Sequence, residues 1–187
     1  MSSTVRVEGD VRVRLFCALQ LPGEALDRLV EWQRNLPSGD FRVVPRDNLH
    51  LTLAFLGHRP AREVAAIGAE LELAVDESAA AIVLRPRRYR ETRSVGMLVF
   101  DDEGGSAGRL AAGLHARLER LGVYEPERRP WLPHLTVVRF RERPRLAPEP
   151  PELGPVRPSG AAVYHSVLRP TGAQYVVLHA VPLDTRG

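Results

Sequence analysis

Two short stretches of this sequence carry the same reactive pattern. One reads His50-Leu51-Thr52-Leu53 and the other His134-Leu135-Thr136-Val137, each a His-x-Thr-x tetrad with an apolar residue at both x positions. Side chains on a strand alternate between faces. His50 and Thr52 therefore share one face, and Leu51 and Leu53 point the other way into a core. The second tetrad repeats this with His134 and Thr136. If the two strands lie side by side across a cleft, two imidazoles and two hydroxyls converge.

That quartet suits in-line displacement at phosphorus. One histidine removes a proton from the attacking water and the other protonates the departing alkoxide. Imidazole suits both roles because its unperturbed pKa is about 6.5. The threonine hydroxyls can donate to the non-bridging phosphate oxygens, where charge accumulates. The mechanism needs no metal. A metal site would call for further ligands at tight spacing, such as His-x-x-x-His, and neither tetrad has one. A single His-x-Thr would read as a structural histidine; the repeat gives the pattern its meaning. His58, His115, His165 and His179 have no matching threonine and are read as structural or surface residues.

The elements that must position these residues follow from periodicity. Residues 11–21 alternate and then turn apolar, as a strand entering a core. After Pro22 comes a helix with Leu26, Leu29, Val30 and Trp32 at near-helical spacing. An extended stretch, a turn at 45–48 and a strand from Leu49 to about Leu56 carry the first motif. A second helix spans 60–78, with Val64, Ile67, Leu71 and Val75 on one face. Two strands follow at 81–90 and 94–100. A third helix has Leu110, Leu114, Leu118 and Leu121 inward and Gly122 as its stop. The second motif strand begins after Pro133. Residues 141–160 are rich in proline and read as a loop. Strands at 161–168 and 172–183, joined by a turn at 169–172, close the chain. The elements come in two similar rounds, as a duplication would leave them.

The chain has 187 residues, enough for one domain, and 44% apolar residues argue against general disorder. The single cysteine, Cys17, cannot form an intrachain disulfide. No apolar run approaches a membrane span, and the first residues lack a signal-peptide core. A cytoplasmic, monomeric protein that does not engage a membrane is expected. Net charge is +3, and every one of the 26 basic residues is arginine. A GC-rich genome would produce that bias. Arginine also suits bidentate phosphate recognition.

Beyond the tetrads, the sequence resembles the 2H phosphoesterases, and among them the RNA 2′,3′-cyclic phosphodiesterases, also known as bacterial 2′-5′ RNA ligases. Residues 14–19 with Leu21-Pro22 resemble the family's opening strand, 47–57 its first motif, 133–139 its second, and 164–168 with 172–175 its closing hairpin. The resemblance implies one bilobal α+β domain over 1–187, with two antiparallel sheets flanking a central cleft and helices packed outside. It implies hydrolysis of RNA 2′,3′-cyclic phosphate ends to 2′-phosphomonoesters, without a cofactor. It makes His50 the proton donor and His134 the proton acceptor, with Thr52, Thr136 and Arg139 holding the phosphate. Strict alternation puts Arg139 on the face opposite His134, so that role requires a strand end, a bulge or a long reach. Two other functions remain open at this stage. A 2′-5′ ligase would use the same site with a 5′-hydroxyl replacing water; water at about 55 M favours hydrolysis unless the ends are held together. A nonenzymatic RNA-end-binding protein would have no need of paired acid–base groups.

Overall fold

A computed structural model describes residues 11–78, 81–170 and 172–183. The reading of the first ten residues, and Thr171 of the last turn, lie outside them. Strands are β1 (Arg12–Gln20), β2 (Arg42–Val43), β3 (Leu51–Pro60), β4 (Val83–Glu91), β5 (Val95–Glu103), β6 (His134–Arg139), β7 (Gly160–Arg169) and β8 (Gly172–Pro182); helices are α1 (Gly23–Arg34), α2 (Val64–Ser78) and α3 (Ser106–Arg120).

The strands pair antiparallel in the order β4-β5-β6-β3-β1-β7-β8, with β2 beside β6. The two motif strands are neighbours, joined by one residue pair, Leu51 opposite Leu135. The expected two sheets are therefore two halves of one curled sheet that fork on either side of this pair. The half around β1 carries the first motif and the half around β5 the second.

The face behind the motifs is apolar. Leu51, Leu53, Leu135 and Val137, all at most 2% exposed, join one core with Leu29 of α1, Ile67 and Leu71 of α2, and Leu110, Leu114 and Leu118 of α3. The predicted faces of α2 and α3 are thus the buried ones, with Val64 and Val75 partly buried at the edge, whereas on α1 the buried face is Ala25, Leu29 and Gln33, and Leu26, Val30 and Trp32 are only partly buried. Gly68 admits the ring of His179 from β8, which a Cβ would meet at 2.8 Å. His179 then reaches Glu72 at 2.8 Å. Leu121 departs from the expectation: it is 38% exposed. The helix ends at Arg120, Gly122 turns the chain at φ +76°, and buried Val123 takes the inward place, its N–H donating to Leu118 O at 3.0 Å.

The first motif strand enters the ladder at Leu51, later than expected, and continues to Pro60. Residues 46–48 form a single 3-10 turn before it. The proline-rich stretch is an irregular strap, as its composition implies, but it is firmly held. Buried Glu91 accepts from the backbone N–H groups of Arg145 and Leu146 and from Arg143 Nε, at 3.1, 2.8 and 3.0 Å. Trp32 Nε1 donates to Glu149 O at 2.9 Å, and Val156 bridges to Leu84. Cys17 is fully buried, and burial pushes its thiol up to about 12. No helix among the described residues is long and apolar enough to cross a membrane.

β6 carries a bulge that shapes everything beyond it. Met97 pairs with Thr136 and Gly96 with Val138, so Val137 is the extra residue. Val137 and Val138 are both fully buried. The Tyr89 hydroxyl and the Val138 side chain both crowd Gly96: a Cβ would lie 2.6 Å from Val138 Cγ2 and closer still to the Tyr89 oxygen. Gly96→Ala should therefore lower unfolding stability by about 1–3 kcal/mol. Urea denaturation measures this; an unchanged midpoint would contradict the packing.

Candidate active site

β3 bulges at the matching place. Its pairing with β1 steps from Cys17–Ala54 to Ala18–Thr52, leaving Leu53 extra. Leu53 and Ala54 are both buried, just as Val137 and Val138 are. Each motif strand thus reads histidine, buried residue, threonine, two buried residues, then a side chain returned to the cleft. That sixth position is Phe55 on β3 and Arg139 on β6. The bulge resolves the alternation problem, because it brings Arg139 back to the face of His134 and Thr136.

Side chains behind the sheet hold both bulges. Gln33 of α1, 6% exposed, donates through Nε2 to Val137 O at 2.8 Å and to Val44 O at 3.0 Å. His115 Nε2 lies 2.7 Å from Leu53 O, and its ring stacks on Tyr124 at 4.6 Å. Trp131 Nε1 donates to Thr52 O at 2.9 Å. His115 is structural, as expected. Gln33 was missed; a polar residue on an otherwise apolar helix face was its signal.

His50, Thr52, His134, Thr136 and Arg139 all line one cavity of about 490 Å³. All five predicted site residues are together. Among the described residues, the Leu51–Leu135 pair is the one rung between the two motif strands, so both motifs flank a single seam.

The histidines are oriented alike. His50 Nδ1 is 2.8 Å from Asn48 O, and His134 Nδ1 is 2.8 Å from Leu132 O. A carbonyl only accepts, so each Nδ1 carries its hydrogen and Nε2 is left for the cleft. His50 Nε2 approaches Thr52 Oγ1 at 3.1 Å. Asn48 is itself anchored, its Nδ2 donating to Ala173 O at 2.8 Å.

Their surroundings differ. His50 packs among aromatic rings, with Phe16, Tyr175 and Tyr164 at centroid distances of 4.9, 5.2 and 6.0 Å. Burial pushes His50 down to about 4; the Asn48 carbonyl opposes this, and Arg139 and His134 add to it. At neutral pH the empty cleft thus holds His50 uncharged. Arg14, Phe16, Phe55, Ser166 and Tyr175 also contribute to the wall. Sequence reading did not single these out, because β1, β7 and β8 reach the site only through long-range pairing. Phe55 had one legible signal: it is the counterpart of Arg139, five residues after its histidine. Among the described residues, no group of three or more His, Cys, Asp or Glu side chains could hold a metal ion.

Known proteins are similar to this chain in sequence and fold. The model of the LigT-like phosphoesterase family matches residues 19–85. An RNA 2′,3′-cyclic phosphodiesterase of Thermus thermophilus is 36% identical over 182 residues, covering 91% of this chain and 90% of its own. One from Escherichia coli is 30% identical over 139 residues, covering 73% and 77%. A crystal structure of Escherichia coli LigT in apo form superposes with a TM-score of 0.74 at 26% identity, over 92% of this chain and 98% of its own. With that identity sustained along most of its length, and with the same fold, the chain belongs to the LigT-like phosphoesterases of the 2H superfamily.

Proposed function

We propose that this protein hydrolyses RNA 2′,3′-cyclic phosphate ends to 2′-phosphomonoesters by metal-independent acid–base catalysis, acting as a monomeric, single-domain cytoplasmic enzyme. The observation that carries the reading is the convergence of both His-x-Thr pairs and Arg139 on one cavity. The relatives named for this activity support the substrate class.

In this reading Thr52, Thr136 and Arg139 grip the non-bridging oxygens. His134 Nε2, on the more open side, takes a proton from water as it attacks phosphorus. The bond from phosphorus to the ribose 3′ oxygen breaks, and His50 Nε2 gives that oxygen its proton. The aromatic wall of Phe16, Phe55 and Tyr175 fits the terminal nucleoside. Incubating a cyclic-phosphate oligonucleotide with the protein and locating the product phosphate by ³¹P NMR tests the assignment. A 2′-monoester is expected; a 3′-monoester would overturn the leaving-group assignment.

The donor must be protonated when the bond breaks, yet His50 is uncharged in the empty cleft. The bound phosphate supplies the difference. Its negative charge offsets Arg139 and favours the imidazolium. Lowering pH toward 4 charges His50 in the free protein, whereas the complex charges it at higher pH. The donor acts only while protonated, so the pH above which activity is lost with the His50 proton should lie higher in kcat than in kcat/KM. Paired pH–rate series check this; coincident limbs would contradict substrate-driven loading of the donor.

A further inference from the structure

A second cavity, of about 390 Å³, adjoins the first and shares one wall with it. It is lined by Asp40, Phe41, Arg42, Arg139, Phe140 and Arg141. Arg139 is the shared wall, since it also lines the cavity of the two histidines. The floor is aromatic: Phe140 is 7% exposed, and Phe41 is partly buried against the core. The rim is three guanidinium groups and one carboxylate.

This placement of charge is unfavourable for an empty protein. Arg42 on β2 and Arg139 on β6 are direct cross-strand partners. Like charges directly opposite on paired strands are destabilising. Arg42, Arg139 and Arg141 make no side-chain hydrogen bond or ion pair among the described residues. Some arginines elsewhere pair with carboxylates, as Arg46 does with Asp27, Arg59 with Glu63 and Arg117 with Glu70 and Glu77, while others among the described surface residues do not; what sets these three apart is that they share one cavity. Asp40 faces the same cavity without neutralising it, and the lining keeps a net positive charge. Unpaired guanidinium groups over aromatic rings are the usual means of holding a single-stranded nucleic acid backbone.

The substrate offers a matching group. A terminal nucleotide whose 2′ and 3′ oxygens are tied in the cyclic phosphate carries, on its 5′ oxygen, the phosphodiester to the rest of the chain. We propose that Arg42, Arg139 and Arg141, which share this cavity with Phe41, hold that phosphodiester and the nucleotide preceding the cyclic end. The inference rests on the cyclic-phosphate reading of the first cavity. It makes the protein a reader of oligonucleotide ends, with mononucleoside cyclic phosphates the poorer substrates.

The test compares a mononucleoside 2′,3′-cyclic phosphate with a dinucleotide ending in the same group. The wild-type protein should favour the dinucleotide in kcat/KM by about ten-fold, the value of one charged phosphate contact. The dinucleotide should also show a log–log salt dependence of KM steeper by about 0.7 per phosphate held. Arg42→Ala with Arg141→Ala should bring the preference close to one, mainly through the dinucleotide KM, and remove the extra salt dependence. Arg120→Ala, on the helix side, should keep both. Both substituted side chains are exposed, so folding is preserved and thermal unfolding verifies it. Equal wild-type rates for the two substrates, or a preference that survives the double substitution, would overturn the subsite alone. Failure to hydrolyse either substrate would overturn the cyclic-phosphate reading and the subsite with it.

Discussion

Replacing either His50 or His134 with alanine is expected to cut kcat on a cyclic-phosphate end by about 10²–10⁴-fold. The two losses have different origins. Without His134 no group activates water. Without His50 the 3′ oxygen must leave as an alkoxide. Because the pair acts on one transition state, the double variant should lose far less than the product of the single losses. The pH profiles separate the two roles. His50→Ala should abolish the loss of activity that follows removal of the donor's proton as pH rises, a titration that burial among Phe16, Tyr164 and Tyr175 holds low. His134→Ala should leave that titration in place, moved slightly upward by the loss of a neighbouring positive charge. Near-normal turnover in either single variant would remove the acid–base pair from the account.

The second large effect belongs to Arg139. Arg139→Ala should lower kcat/KM by about 10²-fold, in line with the loss of one preorganised donor to a developing phosphoryl charge. Arg139→Lys should recover only part of this, since an ammonium cannot donate as a planar fork. Arg139 is exposed and its guanidinium makes no hydrogen bond or ion pair among the described residues, so stability should change by less than about 0.5 kcal/mol. The pH profile provides a second readout. Arg139 helps to hold His50 low, so the pH above which kcat/KM falls with the His50 proton should rise when the guanidinium is removed. An unchanged kcat/KM in a stably folded Arg139→Ala would show that the bulge at Val137 aims this side chain to no purpose.

The reactive pairs were legible because a strand's period of two is visible in four residues, and His-x-Thr needs only that. The helices were legible from the spacing of Leu29, Ile67, Leu71, Leu110 and Leu114, all of which are buried. The bulges were not legible. Leu53-Ala54 and Val137-Val138 are apolar neighbours, and a run of apolar residues looks the same whether it alternates or slips. Only the pairings to Cys17, Ala18, Gly96 and Met97 reveal the extra residue. That slip decides which way Phe55 and Arg139 point. The inward place expected of Leu121 failed because one residue beyond the helix end is enough to leave its face. The aromatic surroundings of His50 come from β1, β7 and β8, far apart in the chain, and no local pattern announces them. Nor does any local pattern announce the pairing of Arg42 with Arg139, which depends on β2 lying beside β6.

The central claim is that two imidazoles, with Thr52, Thr136 and Arg139 on the phosphate, carry the chemistry without a metal. One measurement bears on it most directly: turnover of an oligonucleotide ending in a 2′,3′-cyclic phosphate by protein freed of divalent cations and assayed in EDTA. Full activity in the chelator, lost in His50→Ala and His134→Ala, is the predicted result. Absence of product, or activity that returns only when a metal is added, would contradict the account.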